Sequence, residues 1–408
     1  MPLLSPSPTP VPPAPPKTVG WLTVLRLPHC GRSLFGTLVG RLPLGMAPVA
    51  LLMAVEAEDG SLAYGAALAA AFGLAVAAGQ PLLGRFVDRA GQTVPLVVGA
   101  VISALALASI AVVGTGEPHL AMTAALLAGL AAPPLEAALR SLWVRLVPTP
   151  SHLRAAYALD SGSQELVYVA GPLLATCIAT WAGPTLALAA TAALGLTGAL
   201  TVAAGAPSRA WRPRPDRRGG LLGALQPPTL RLLLLALAAV GASLGALHVA
   251  ALATADRYDT SWLAGAMPAA LSVGALIGSA VYTLRPWHAC LGTQLVLTGA
   301  GFTLTWLPLC LDPPPPIGLA LVLLPGLFFG PLLTAAYLAI DAVARPGMVT
   351  ESYSWLVSAF GVGTAAGTAL AGPWGGSWIV PAVTAAIALG LLHLVRHRLT
   401  HRTQILPL

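Results

Sequence analysis

Runs of about 20 apolar residues recur along nearly the whole chain, and each is long enough to cross a bilayer as a helix. They fall at 33–55, 62–83, 94–113, 120–144, 164–181 and 185–204, then at 230–254, 262–284, 289–310, 317–343, 352–371 and 378–395. Only 9% of the 408 residues are charged. A soluble domain carries roughly 25%, and so sparse a set could not cover the surface of a water-soluble protein this large. The expected fold is therefore an all-α membrane protein with twelve transmembrane helices. Little chain is left for a soluble catalytic domain. Glycine and proline inside the runs are tolerated where neighbouring helices re-satisfy the backbone.

Charge decides the orientation. With the N-terminus placed in the cytoplasm, 18 of the 21 basic residues fall in cytoplasmic segments, only Arg257 lies outside, and Arg41 and Arg140 lie within spans. Glu56, Glu58, Asp59, Glu117, Asp256, Asp259 and Asp312 collect in the outer loops. Such a split is the positive-inside pattern, and it puts both termini in the cytoplasm. The net charge of +7 thus reports topology and not nucleic-acid binding, because no aromatics interleave the basic loops. The lipid bilayer is the expected partner. Arginine in place of lysine at all but Lys17, with no asparagine, implies GC-rich bacterial coding and hence a bacterial inner membrane. The four cysteines lack metal-ligand spacing and read as packed small residues. No metal or cofactor motif is present, and nothing points to an enzyme.

The chain also repeats itself. Residues 41–89 align without gaps on 241–289 with 13 of 49 identical, among them Gly45/Gly245, Asp59/Asp259 and Arg85/Arg285. L-L-A-G-L-A-A-P-P-L in the fourth run mirrors L-L-P-G-L-F-F-G-P-L in the tenth. The expected organisation is a Pro-rich tail (1–20), a six-helix half (21–206), an Arg-rich linker (207–228), a second six-helix half (229–398) and a short tail (399–408).

Between the second and third runs stands G-R-F-V-D-R-A-G-Q-T (84–93). It resembles the signature loop of the major facilitator superfamily, G-x-x-x-D-R/K-x-G-R/K-R/K, within two six-helix pseudo-symmetric halves. Gln92 and Thr93 replace the two final basic residues. The resemblance implies a cytoplasmic gate formed by Gly84, Asp88, Arg89 and Gly91, with Asp88 facing the start of the eleventh helix near Thr350–Ser352. V-Y-V-A-G-P-L-L-A-T in the fifth run partly resembles an element of drug and metabolite antiporters, with Gly171 and Pro172 as a helix bend. The arginine that such exporters carry before Gly129 is absent, Ala125 standing there.

Ionisable side chains inside a span cost at least ~2.5 kcal/mol at its centre, which makes them functional candidates. Arg41 and Glu136 are expected to form a charge-coupled pair in a substrate and proton pathway, about eight residues from the cytoplasmic side. His248 and Tyr337 are further pathway candidates. Arg140 and Glu165, the latter at the start of the fifth span, are expected to join Asp88 in the gate. Asp341 and Arg345 read as an exposed helix-end pair. Together these features imply a monomeric secondary transporter exporting a small organic molecule, a drug, antibiotic or metabolite, in exchange for protons. A proton-coupled uptake carrier, an uncoupled facilitator and a non-transporting binding or signalling protein are the alternatives.

Overall fold

The structure is a computed structural model that describes residues 19–212, 223–260, 262–284, 287 and 289–403. The Pro-rich tail, the middle of the Arg-rich linker and Arg285 lie outside the described residues. Twelve helices are long and apolar enough to cross a membrane. They are α1 (Cys30–Ala57), α2 (Leu62–Ala90), α3 (Thr93–Val113), α4 (Pro118–Leu146), α5 (Pro150–Ala182) and α6 (Pro184–Ala203) in the first half. The second half holds α7 (Pro228–Arg257), α8 (Leu263–Leu284), α9 (Leu291–Leu311), α10 (Pro315–Val343), α11 (Val349–Ala371) and α12 (Ile379–Leu399). No strand occurs among the described residues. We call the end where α1 begins, with Arg26, Arg32, Arg89 and Arg145, the basic end, and the opposite one the acidic end.

Local chemistry sets the helix limits. Ser61 Oγ caps α2 by accepting from the Tyr64 amide at 3.2 Å. Thr149 Oγ1 caps α5 in the same way, accepting from the His152 amide at 3.3 Å. Each cap satisfies an amide that the first turn leaves without an intrahelical partner. Gly91, which closes α2, has φ +95°, a value other residues adopt only with strain. The repeat also reappears as geometry. Asp59 and Asp259 both adopt left-handed backbone, φ 55° and 50°. Each is followed by an amide returning to the end of its helix, Gly60 N to Val55 O and Thr260 N to Ala255 O.

Three spans differ from expectation. The second runs on to Ala90, so Gly84, Asp88 and Arg89 lie in its last turns and not in a loop. The fifth begins at Pro150 instead of 164 and runs 33 residues, unbroken through Pro172. The fourth is interrupted: one segment ends at Leu130 and a second starts at Leu135. Pro133 and Pro134 in succession remove two amide donors, and each disfavours helical geometry in the residue before it. The related stretch of α10, with Pro325 and Pro331 six residues apart, stays helical. The repeats have diverged here.

Glycine rows let helices touch backbone to backbone, as in other membrane bundles. A Cβ on Gly241 or Gly245 of α7 would come within 2.4 Å of a carbonyl oxygen of α11. One on Gly363 or Gly367 of α11 would come within 1.9 Å of a carbonyl of α7. At the basic end one continuous apolar core spans both halves, joining Leu34, Trp143 and Tyr157 to Leu233, Ile340 and Tyr353. Towards the acidic end, Met46, Phe72, Ile110 and Leu188 form a core belonging to the first half alone. The halves are fused at one end.

Gly363→Ala places its methyl against the Ala238 carbonyl, which cannot yield. It is expected to destabilise the protein by about 1–3 kcal/mol, the usual cost of overpacking. Gly361→Ala, two residues away with open space around it, should be neutral. Thermal unfolding of both variants in detergent checks the contrast.

Candidate functional site

Four charged groups meet at mid-depth in the first half. Arg41 lies eleven residues from the start of α1 and Glu136 ten from the end of α4. At the rise of an α-helix each is about 15 Å from the basic end. Both are deeper than their sequence positions within the apolar runs suggested. Glu136 occupies the first turn of the second α4 segment, where the helix N-terminus favours an anion. Arg41 Nη2 stands 2.7 Å from Glu136 Oε2, and Arg140 contacts the other carboxylate oxygen from one turn along the same helix. Arg140 Nε also donates to Asp160 Oδ2 of α5 at 2.7 Å. Arg41 is 2% exposed, Glu136 5% and Arg140 not at all. Arg41 Nε and Nη1 have no hydrogen-bond partner. A cavity of about 20 Å³ lies beside Arg41, against Ser103, Pro133 and Thr191. That is room for a single water.

The cluster reaches the second half through α10. Arg140 Nη2 donates to Tyr337 Oη at 2.6 Å and to Gln164 Oε1 at 3.1 Å, and its guanidinium lies 3.7 Å from the centre of the Tyr337 ring. Arg140 and Tyr337 occupy corresponding places in the two repeats, and they touch each other. Tyr168, one turn beyond Gln164, is 45% exposed yet within electrostatic reach of Arg41, Glu136 and Glu165.

Below this floor, towards the basic end, further contacts close the halves. Asp88 accepts from the Thr350 amide at 3.2 Å and the Glu351 amide at 2.8 Å, at the start of α11. Gly84 lets α2 approach that helix, since a Cβ there would lie 2.2 Å from Ser354 Oγ. Arg85 and Arg89 are within electrostatic reach of Glu351. A second latch joins α5, α10 and α11. Tyr157 and Tyr353 both donate to the Asp341 carboxylate, Tyr353 at 2.9 Å, and the two hydroxyls lie 2.9 Å apart. Nearer mid-depth, Ser161 contacts Ser279 and Thr334, and Ser272 donates to Glu165 at 2.7 Å.

Several expectations change. Asp88, Arg140 and Glu165 do not form one gate network: Asp88 binds α11, Arg140 belongs with Arg41 and Glu136, and Glu165 binds Ser272 of α8. Glu165 lies fifteen residues into α5, because that helix starts earlier than hydropathy indicated. Asp341 is not an exposed partner of Arg345, which instead donates to Gln226. Gly171 serves contact: a Cβ on it would sit 2.9 Å from Gly45 Cα. His248 is exposed on α7 and donates Nδ1–H to the Leu244 carbonyl at 2.7 Å, apart from the cluster. Asp160, Gln164, Tyr157 and Tyr353 were missed, although Asp160 and Gln164 stand one turn apart just where the apolar run begins.

The structure is a twelve-helix membrane-type bundle of two repeats, closed at one end beneath a buried charge cluster of the first half. Residues 33–368 match the model of the Major Facilitator Superfamily, and the chain belongs to that family. It is 31% identical over 238 residues to the uncharacterized MFS-type transporter y4rN of Sinorhizobium fredii, a match covering 55% of this chain and 58% of that one. The matched region thus spans little more than half of that relative's length. Among solved structures it resembles a bacterial homologue of the iron transporter ferroportin in its outward-facing state, with TM-score 0.70, 13% identity, and 91% of this chain and 99% of that one covered. It also resembles the human organic anion transporter MFSD10, with TM-score 0.65, 16% identity and 90% and 97% coverage. The transporter FucP in its outward conformation gives TM-score 0.65, 14% identity and 90% and 98% coverage. At these identities the likeness is one of fold.

Asp88→Asn keeps one acceptor oxygen where two are used, and a charge-assisted bond is worth about 1.5–3 kcal/mol. Turnover should fall steeply while the melting temperature drops only by the few degrees such a loss implies; full transport would leave Asp88 a turn residue. Asp341→Ala removes the carboxylate that Tyr157 of the first half reaches across to in the second. A single cysteine at Ser161 in a cysteine-free chain should then label faster from the basic end than in the parent.

Proposed function

We propose that this carrier exports a small organic molecule in exchange for protons, with its basic end in the cytoplasm and the closed basic end marking an outward-facing state. The observation that carries this reading is the buried Arg41–Glu136–Arg140 arrangement, one carboxylate between two guanidiniums. The loop charges support the orientation, since cytoplasmic loops concentrate arginine.

Glu136 serves as the shared site. Ionised, it is balanced by Arg41 and Arg140. A proton there releases both arginines, and a substrate donor group there takes the proton's place. Two ligands that compete for one group exchange across the membrane instead of crossing together, and competition of this kind is a coupling free energy between binding events. Arg140 is held by Asp160, Gln164 and Tyr337 as well, so it stays in place through the cycle. Arg41, whose described ion-pair partner is Glu136, moves with substrate. Alternating access follows from rocking of the two halves about the cluster.

Glu136→Gln cannot titrate. In proteoliposomes it should lose export driven by a proton gradient while keeping substrate exchange at zero gradient. Arg41→Ala should impair both. Driven export by Glu136→Gln with unchanged pH dependence would make Glu136 structural and move the coupling site elsewhere. A substrate carried in the direction of the proton gradient by the parent protein would replace export with uptake.

A further inference from the structure

The final turns of α12 carry H-L-V-R-H, with His393 and His397 one helical turn apart on its outward face. Residues four apart lie one above the other on a helix, so their side chains can converge. Here they do: Nε2 of His393 and Nε2 of His397 are 3.1 Å apart, with ring centres separated by 4.7 Å and the planes at 78°. Both rings are exposed. Neither belongs to the transport cluster, which lies on α1, α4 and α5.

From this geometry we infer a binding site for a divalent late transition-metal ion, Cu²⁺, Ni²⁺ or Zn²⁺, held by the Nε2 atoms of His393 and His397 at the basic end of α12. Two imidazole nitrogens each roughly 2.0–2.1 Å from one ion lie about 2.9–3.4 Å apart for bond angles from square to tetrahedral. The observed 3.1 Å falls within that range, so the pair can close on an ion without moving the backbone. Ligand chemistry sets the class. Imidazole suits copper, nickel and zinc, whereas magnesium and calcium require oxygen donors. The residues on either side of His397 are Arg396 and Arg398, neither of which offers an oxygen donor to a hard cation. Water or lipid phosphate would complete the coordination, since His397 lies two residues from the end of the span.

The test uses full-length protein without an affinity tag, purified in detergent, and the metals alone as probes. Calorimetric titration with Ni²⁺ should show one ion per chain. The Cu²⁺ complex should show two equivalent nitrogen couplings in its electron paramagnetic resonance spectrum. His393→Gln and His397→Gln should each weaken Ni²⁺ binding by about tenfold or more and reduce the copper spectrum to one nitrogen. His119→Gln, an exposed histidine at the start of α4, should change neither. Retention of parent affinity in both single variants, or a parent spectrum with one nitrogen, would overturn the site. So would absence of Ni²⁺ binding altogether, which would leave the two rings as a hydrogen-bonded pair. None of these outcomes bears on the transport reading, since the surface variants keep Arg41, Glu136 and Arg140.

Discussion

The Glu136 carboxylate, shared between Arg41 and Arg140 far from bulk water, is the interaction on which the arrangement of the first half depends. An isolated charge at this depth would cost many kcal/mol, and removing one member of a buried pair typically costs about 3–5 kcal/mol. The cost is contained because charges balance locally. Two arginines face Glu136 and Asp160, with each carboxylate bound to Arg140 and Glu136 also to Arg41. This requires three helices at fixed heights. The proline break in α4 supplies a helix N-terminus at mid-depth, and Glu136 sits in its first turn. Close contact between Gly40 of α1 and Leu135 beside the break brings Arg41 level with it. The polar start of α5 delivers Asp160 from the other side.

Much of this was legible in the sequence, and the exceptions share one cause. Most spans were placed to within a few residues because lipid-facing surfaces must be apolar, and hydropathy reads that surface. The basic half of α5 escaped the same reading. Asp160, Ser161, Ser163, Gln164 and Glu165 are all buried against other helices, so the stretch is polar inside the bundle and resembles a loop in sequence. Asp88 was legible for a different reason. Its motif fixes a helix end and a turn, and its partner is a helix N-terminus, which needs no particular side chain. Asp341 was misread because its partners lie on other helices, Tyr353 on the next one and Tyr157 on α5 in the first half. Spacing along α10 could suggest only Arg345.

The α4 break shows the limit of repeat symmetry. Corresponding stretches of α4 and α10 share the glycine and a following proline, and pattern alone treats both as tolerated kinks. A single proline loses one hydrogen bond and can remain within a helix whose neighbours compensate. Two in succession also push the first out of helical backbone, and Pro134 itself has ψ 58°. The surrounding side chains then accept the broken geometry. Gln80 donates to the Ala132 carbonyl at 3.3 Å, and Ser103 to that of Ala128 at 2.8 Å. Irregular backbone at membrane depth is sustainable where buried side chains pair with it.

How the halves can separate without great cost follows from where each kind of bond lies. The Arg41–Glu136, Arg140–Glu136 and Arg140–Asp160 pairs all lie within the first half, and Arg257–Asp312 lies within the second. The hydrogen bonds between halves are of another kind. Backbone amides donate to Asp88, the Tyr157 hydroxyl to Asp341, and a serine hydroxyl to Glu165. When the basic end opens, water can replace every one of those neutral donors, and each carboxylate gains solvent as it loses its partner. No buried arginine of the cluster is stripped of its counter-charge by the movement. Arg140 gives up Tyr337 but keeps Glu136, Asp160 and Gln164, all of its own half. Strong electrostatics thus hold the first half as a rigid body, and exchangeable hydrogen bonds hold the two halves together. The opening and closing proposed above needs bonds divided in that way.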